Sequence, residues 1–300
     1  SSDLTMANMF WGAAVFNQDI NTVPAGGNAG GTAWDTSSVT NMGAIFRGAA
    51  AFDGDISAWD VRNVITMQQM FELASSFNQD ISGWETGSVT TMHGMFNAAS
   101  VFNQDISTRA GAGNQGGTAW DVSSNTTMYR MLRGAGQFNA DIGNWDTSSV
   151  TSMFGAFESA DSFNQDIGGW DTRNVTNMSQ MFLSNDGFNQ DISGWETISV
   201  TNMSSMFQAA TTFNQNINTV PAGGNNGGTA WDTSNVTTMR SMFSDAAAFN
   251  GDISDWDTGE VTDMYQMFLR VAPFNQDISG WDVSNVQNFS GFLQQAAAFN

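Results

Sequence analysis

Apolar and polar positions along this chain return in the same order every 25 residues. Phe followed by Asn, or once by Asp, stands at Phe16, Phe52, Phe77, Phe102, Phe138, Phe163, Phe188, Phe213, Phe249, Phe274 and Phe299, at intervals of 25 or 36 residues. Read from Phe77, the unit is F-N-Q-D-I-S-G-W-E-T-x-S-V-T-x-M-x-x-M-F-x-x-A, and three copies carry eleven further residues. One such unit cannot bury its own apolar face. Neighbouring copies must stack, with each position lying over its equivalent in the next coil.

Two local patterns fill the unit. Ile56, Trp59 and Val61, repeated as Ile81, Trp84 and Thr86, match the L-x-x-L-x-L strand of leucine-rich repeats, with Val64 where that repeat has its Asn or Cys. Val39, Met42, Phe46 and Ala49 then follow at spacings of 3, 4 and 3, with Ile45 widening the stripe. That spacing predicts one face of a short helix, and the Ser and Asn before it suit an N-cap. The expected fold is an α/β solenoid: a leucine-rich-repeat-like right-handed coil, one parallel β-sheet, short helices on the opposite side, and about ten to eleven 25-residue coils over 1–300. Trp fills one column from Trp34 to Trp281 and Ile another from Ile20 to Ile278, both read as core. Met serves as a flexible filler. In one irregular coil Asn125 replaces Val and Leu132 replaces Phe, which predicts the weakest packing near 120–135.

The motifs F-N-Q-D-I-S-G-W-E-T and V-T-x-M-x-x-M-F resemble the bacterial surface protein repeat family, the BspA-like leucine-rich-repeat surface proteins, over essentially the whole chain. The resemblance implies a secreted or surface-attached protein used in adhesion or host contact, with no enzyme activity. The chain departs from the simple pattern in its three long insertions.

Charge narrows the partners. The chain has 29 acids against 8 bases, all Arg, for a net charge of −21. That argues against nucleic acid and anionic membrane surfaces. No cysteine is present, so disulfides and thiol chemistry are excluded, and no apolar run is long enough for direct membrane insertion. The single histidine, His93, reads as a surface residue. Identical acids in every coil argue against one distinguished active site. A Thr column at Thr36, Thr86, Thr147, Thr172, Thr197, Thr233 and Thr258 suggests ice binding only if it faces outward, and it is expected to face inward.

Most acids occupy two columns. The residue after Trp is always acidic: Asp35, Asp60, Glu85, Asp121, Asp146, Asp171, Glu196, Asp232, Asp257 and Asp282. Expected to point outward about 5 Å apart, these fit a solvated strip, Ca²⁺ bridging adjacent carboxylates, or a basic partner. The Asp before Ile, as at Asp55 and Asp80, reads as a turn cap instead. The Asn after Phe reads as a stacked amide ladder.

The insertions, at 21–33, 107–119 and 218–230, are Gly-rich, and the first and third are nearly identical. All enter at one point of the coil, which predicts a shared binding edge. Its candidate contacts are Pro24, Gly26, Gly27, Arg109, Gly111, Asn114, Pro221, Gly223 and Gly224. No phosphate-loop context follows the glycines. Neither end carries a capping repeat, so the chain reads as part of a longer array or as a unit that stacks on copies of itself. The expected protein is extracellular or at the cell surface, structural and not an enzyme. It is a filament subunit assembled through open ends and Gly-rich loops, or an adhesion module that binds a protein or glycan on its acidic face.

Overall fold

A computed structural model describes residues 4–24 and 32–300. It forms two compact units, Ser1–Ser149 and Val150–Asn300. In each unit the repeats stack as coils, but the expected α/β solenoid is overturned. Among the described residues there is no helix, and the only strands are β1, Leu4–Thr5, and β2, Val39–Asn41, paired in parallel. Beyond them, pairing between coils shrinks to single parallel bridges. In the first unit these join Asn41, Thr66 and Thr91, and in the second they run from Ser152 through Asn177, Asn202, Thr238 and Asp263 to Asn288.

The predicted strand is two turns. Trp59 N–H donates to Ile56 O at 3.1 Å and Val64 N–H to Val61 O at 3.0 Å, so the three-residue spacings mark turn ends. The predicted helix is a run of turns as well. Met70, Glu72 and Ala74 donate to Met67, Gln69 and Phe71, each three residues back. The intervening N–H groups leave the coil: Met67, Gln69, Phe71 and Leu73 donate to Thr91, His93, Met95 and Asn97 of the next coil at 2.7–3.1 Å. An α-helix would need all of these bonds to run four residues back. Two residues per coil take positive φ to allow the alternation, here Gln69 at 56° and Leu73 at 62°. The same two positions are left-handed in the second unit, as at Gln180 (59°) and Ser184 (54°).

The expected apolar columns do form the core. Trp59, Trp84, Trp120, Trp170, Trp195 and Trp231 are fully buried, while Trp34 is 37% exposed. Buried indoles find acceptors one coil away: Trp120 Nε1 donates to Ile81 O (2.9 Å) and Trp231 Nε1 to Ile192 O (2.9 Å). Two Phe per coil interleave into a continuous stack. Phe71 lies 3.8 Å from Phe77 within its coil and 5.6 Å from both Phe46 and Phe96 in neighbouring coils. The second unit repeats this at Phe182, with Phe188 at 4.1 Å and Phe207 at 5.5 Å.

The Thr column is buried, and its hydroxyls donate to the next coil, as Thr197 does to Asp232 O at 2.8 Å. The irregular coil is not loosened. Asn125 and Leu132 are both buried, and the Asn125 amide accepts Met92 N–H and donates to Thr127 O.

The left-handed positions give a test. Gln180→Gly and Ser184→Gly should each stabilise the chain by about 0.5–1 kcal/mol, because glycine takes positive φ without strain. In a helix the same changes would cost about 1 kcal/mol. Chemical denaturation of the two variants reads the sign.

Candidate functional site

The acidic column after Trp is built by turns. Asp carboxylates at 35, 60, 121, 146, 171, 232, 257 and 282 each accept the backbone N–H two residues on, at 2.9–3.1 Å. Asp60 and Asp171 are also gripped by Arg62 and Arg173, whose guanidinium groups each make bonds of 3.0 and 2.6 Å. The Arg62 side chain holds the Asp60 carboxyl below the ordinary range, and Arg173 does the same for Asp171. For Asp35 the Ser37 hydroxyl and N–H lower it, against a smaller rise from the neighbouring charge of Asp60. Much of this column's bonding capacity therefore goes to its own chain. Among the described residues, no group of three or more acids or histidines converges to hold a metal ion.

Glu85 and Glu196 behave differently. Their carboxylates reach into the insertion of the following coil and accept Gln115 N–H and Asn226 N–H, both at 2.6 Å. Position-by-position reading did not separate them from the aspartates. The available signal was that Glu occurs in this column only in the coil before an insertion.

The Asp before Ile caps its turn as expected. Asp80, Asp105, Asp191 and Asp277 accept the Ser N–H two residues on, at 2.9 Å in each case. Burial works against the Asp55 carboxyl, but bonds from Ser57 and Asn21 leave it lowered. The amide ladder is also present: Asn78, Asn103 and Asn139 N–H groups donate to Asp53, Asn78 and Asn103 side chains at 2.8–2.9 Å.

The second and third insertions do not stand clear of the coils. A cleft of about 380 Å³ lies beside the second, lined by Ser57, Asp80, Ser82, Gly83, Arg109 and Asn114. Its counterpart beside the third, about 410 Å³, is lined by Asp166, Asp191, Ser193, Gly194, Gly223 and Asn225. Arg109 pairs with Asp105 at 3.3 Å and donates to Ser82 O, whereas Val220 takes the equivalent place in the third insertion. The second cleft thus carries a base and the third does not. Pro24, Gly111, Pro221 and Gly223 are exposed, and Gly224 packs on Glu196. Gly26 and Gly27 lie outside the described residues. His93 is half-buried against the Tyr129 ring at 4.4 Å, and burial lowers its pKa.

Capped carboxylates set the acid response. A carboxyl held below its unfolded value of about 3.9 contributes stability that is fully present above that value and lost as pH falls through the folded one. Asp35, Asp55, Asp60, Asp105, Asp171, Asp245, Asp277 and Asp282 are all lowered, while Asp161, raised by burial and by Asp186, opposes them. The melting temperature should therefore drop between about pH 4 and pH 2. A bare row of repelling carboxylates would instead gain stability on protonation, so a thermal melt across this range decides between them.

No curated protein and no solved structure matches this chain. A family model described as "Mycoplasma protein of unknown function, DUF285" matches three times, at residues 25–112, 108–220 and 223–300. With these three matches spanning nearly all of its coils, the chain belongs to the DUF285 family.

Proposed function

We propose that this chain is a secreted or cell-surface structural repeat protein that assembles with copies of itself. One observation supports the reading above the others: among the described residues, coil after coil spends its Trp, Thr and Asn side chains on equivalent bonds to its neighbour. The resemblance to BspA-like surface repeats points the same way. Arg47, Arg62, Arg109, Arg173, Arg240 and Arg270 are paired with the chain's own acids, and the net charge of −21 leaves a large uncompensated negative charge. The insertion tips, at Gly111, Ala112, Gln115 and Gly116 and at Ala222, Asn226 and Gly227, stay exposed for lateral contact. Adhesion is the second reading. The differing charge of the two clefts favours it, because recognition needs a place that differs from coil to coil.

Like-charged copies repel, and salt shortens the reach of that repulsion from about 30 Å at 0.01 M to about 8 Å at 0.15 M. Sedimentation should show larger species as salt rises over this range, with ordered arrays in electron micrographs. A monomer at every salt and protein concentration would contradict assembly, and binding to a glycan or basic protein array by that monomer would favour adhesion.

A further inference from the structure

The second and third insertions share a bonding plan. In the column after Trp the acid is Glu only at 85 and 196, each one coil ahead of an insertion. The added methylene carries the carboxylate out of its own turn to the loop N–H groups of Gln115 and Asn226. Glycines make the room. A Cβ on Gly113 or Gly117 would stand 2.2 Å from Glu85, and one on Gly224 or Gly228 would stand 2.3 or 2.4 Å from Glu196.

An asparagine beside each anchored N–H reaches further. Asn114 donates its N–H to Gly83 O (2.8 Å) and its side-chain amide to Ser57 O (2.7 Å), one coil beyond. Asn225 does the same to Gly194 O (2.9 Å) and Gly168 O (2.5 Å). The loop entrance ties the coil that follows. Thr108 and Asn144 exchange two bonds of 3.1 and 2.7 Å, and the Asn218 side chain donates to Asp252 and Asp255 at 3.2 and 3.0 Å. Each insertion thus bonds two coils before it and one after. One set covers 57–144 inside the first unit, and the other covers 168–255 inside the second.

We propose that these insertions are staples: each binds four consecutive coils into one cooperative block, and the glutamate is the key that closes it. The coils it spans have single bridges where a longer strand ladder would otherwise resist local opening. Releasing the glutamate frees the turn that aims the asparagine, so the bonds to both preceding coils go together.

Hydrogen exchange of the full chain, read by mass spectrometry, tests this with Glu85→Asp and Glu196→Asp. Aspartate is what the other coils carry at this position, so both variants keep a residue the fold accommodates. Glu85→Asp should speed exchange about tenfold, the order expected for one charge-assisted bond, across 57–144 and leave 168–255 unchanged. Glu196→Asp should do the reverse. Gly117→Ala, which wedges a methyl against Glu85, should open the same block as Glu85→Asp. Acceleration confined to the loop itself, or spread equally over both blocks, would overturn the staple.

Discussion

Every second backbone N–H in the turn-rich half of a coil is donated sideways to the next coil, and the rest of the architecture depends on this. The bonds from Met67, Gln69, Phe71 and Leu73 to the coil above use up the donors a helix would have kept for itself. They require left-handed residues at two places per coil, each costing about 1–2 kcal/mol when the residue is not glycine. Four bonds at a net of about 0.5–1.5 kcal/mol each roughly offset that cost. The balance is close, so something else must decide.

Burial decides it. An interior coil such as that of Ile56, Trp59, Val64, Met67, Met70, Phe71 and Phe77 contributes these side chains to a core with almost no exposure. A fully buried Phe or Ile side chain is worth about 1.5–3 kcal/mol, which outweighs the backbone balance several times over. Stacking also answers the polar demands of this core. Trp indoles find carbonyls one coil away, buried Thr hydroxyls do likewise, and Asn amides cap the N–H of the next coil. A coil removed from its neighbours would lose apolar contacts and hydrogen-bond partners at once. That explains why the same residue types recur at the same positions, and why the chemistry of the chain is mostly structural.

The sequence made the columns legible because stacking demands identity at equivalent positions. Trp84 over Trp59 and Phe77 over Phe52 could be read from spacing alone, as could the Asn ladder and the capping Asp before Ile. Local conformation was not legible. Apolar spacings of 3, 4 and 3 at Val39, Met42, Phe46 and Ala49 suit a helix and a chain of turns equally well. The feature that separates them is positive φ, and glycine marks it only in scattered copies, as at Gly48, Gly94 and Gly134, while Gln69, Leu73, Ala98 and Arg130 hold it without one. Likewise Trp59 and Val61 would share a face in a strand, while Ile56 and Trp59 reach the core from the two ends of a turn. The insertions were visible as insertions. Their closure on Glu85 and Glu196 was not, because it joins residues thirty positions apart through one added methylene.

The most direct measurement is the scalar coupling carried across hydrogen bonds in nuclear magnetic resonance, which names the carbonyl that each amide uses. The account predicts that the Phe71 amide couples to the Met95 carbonyl and the Gln69 amide to the His93 carbonyl, one coil away. Coupling of the Phe71 amide to the Met67 carbonyl, four residues back in its own coil, would mean a helix and would contradict it.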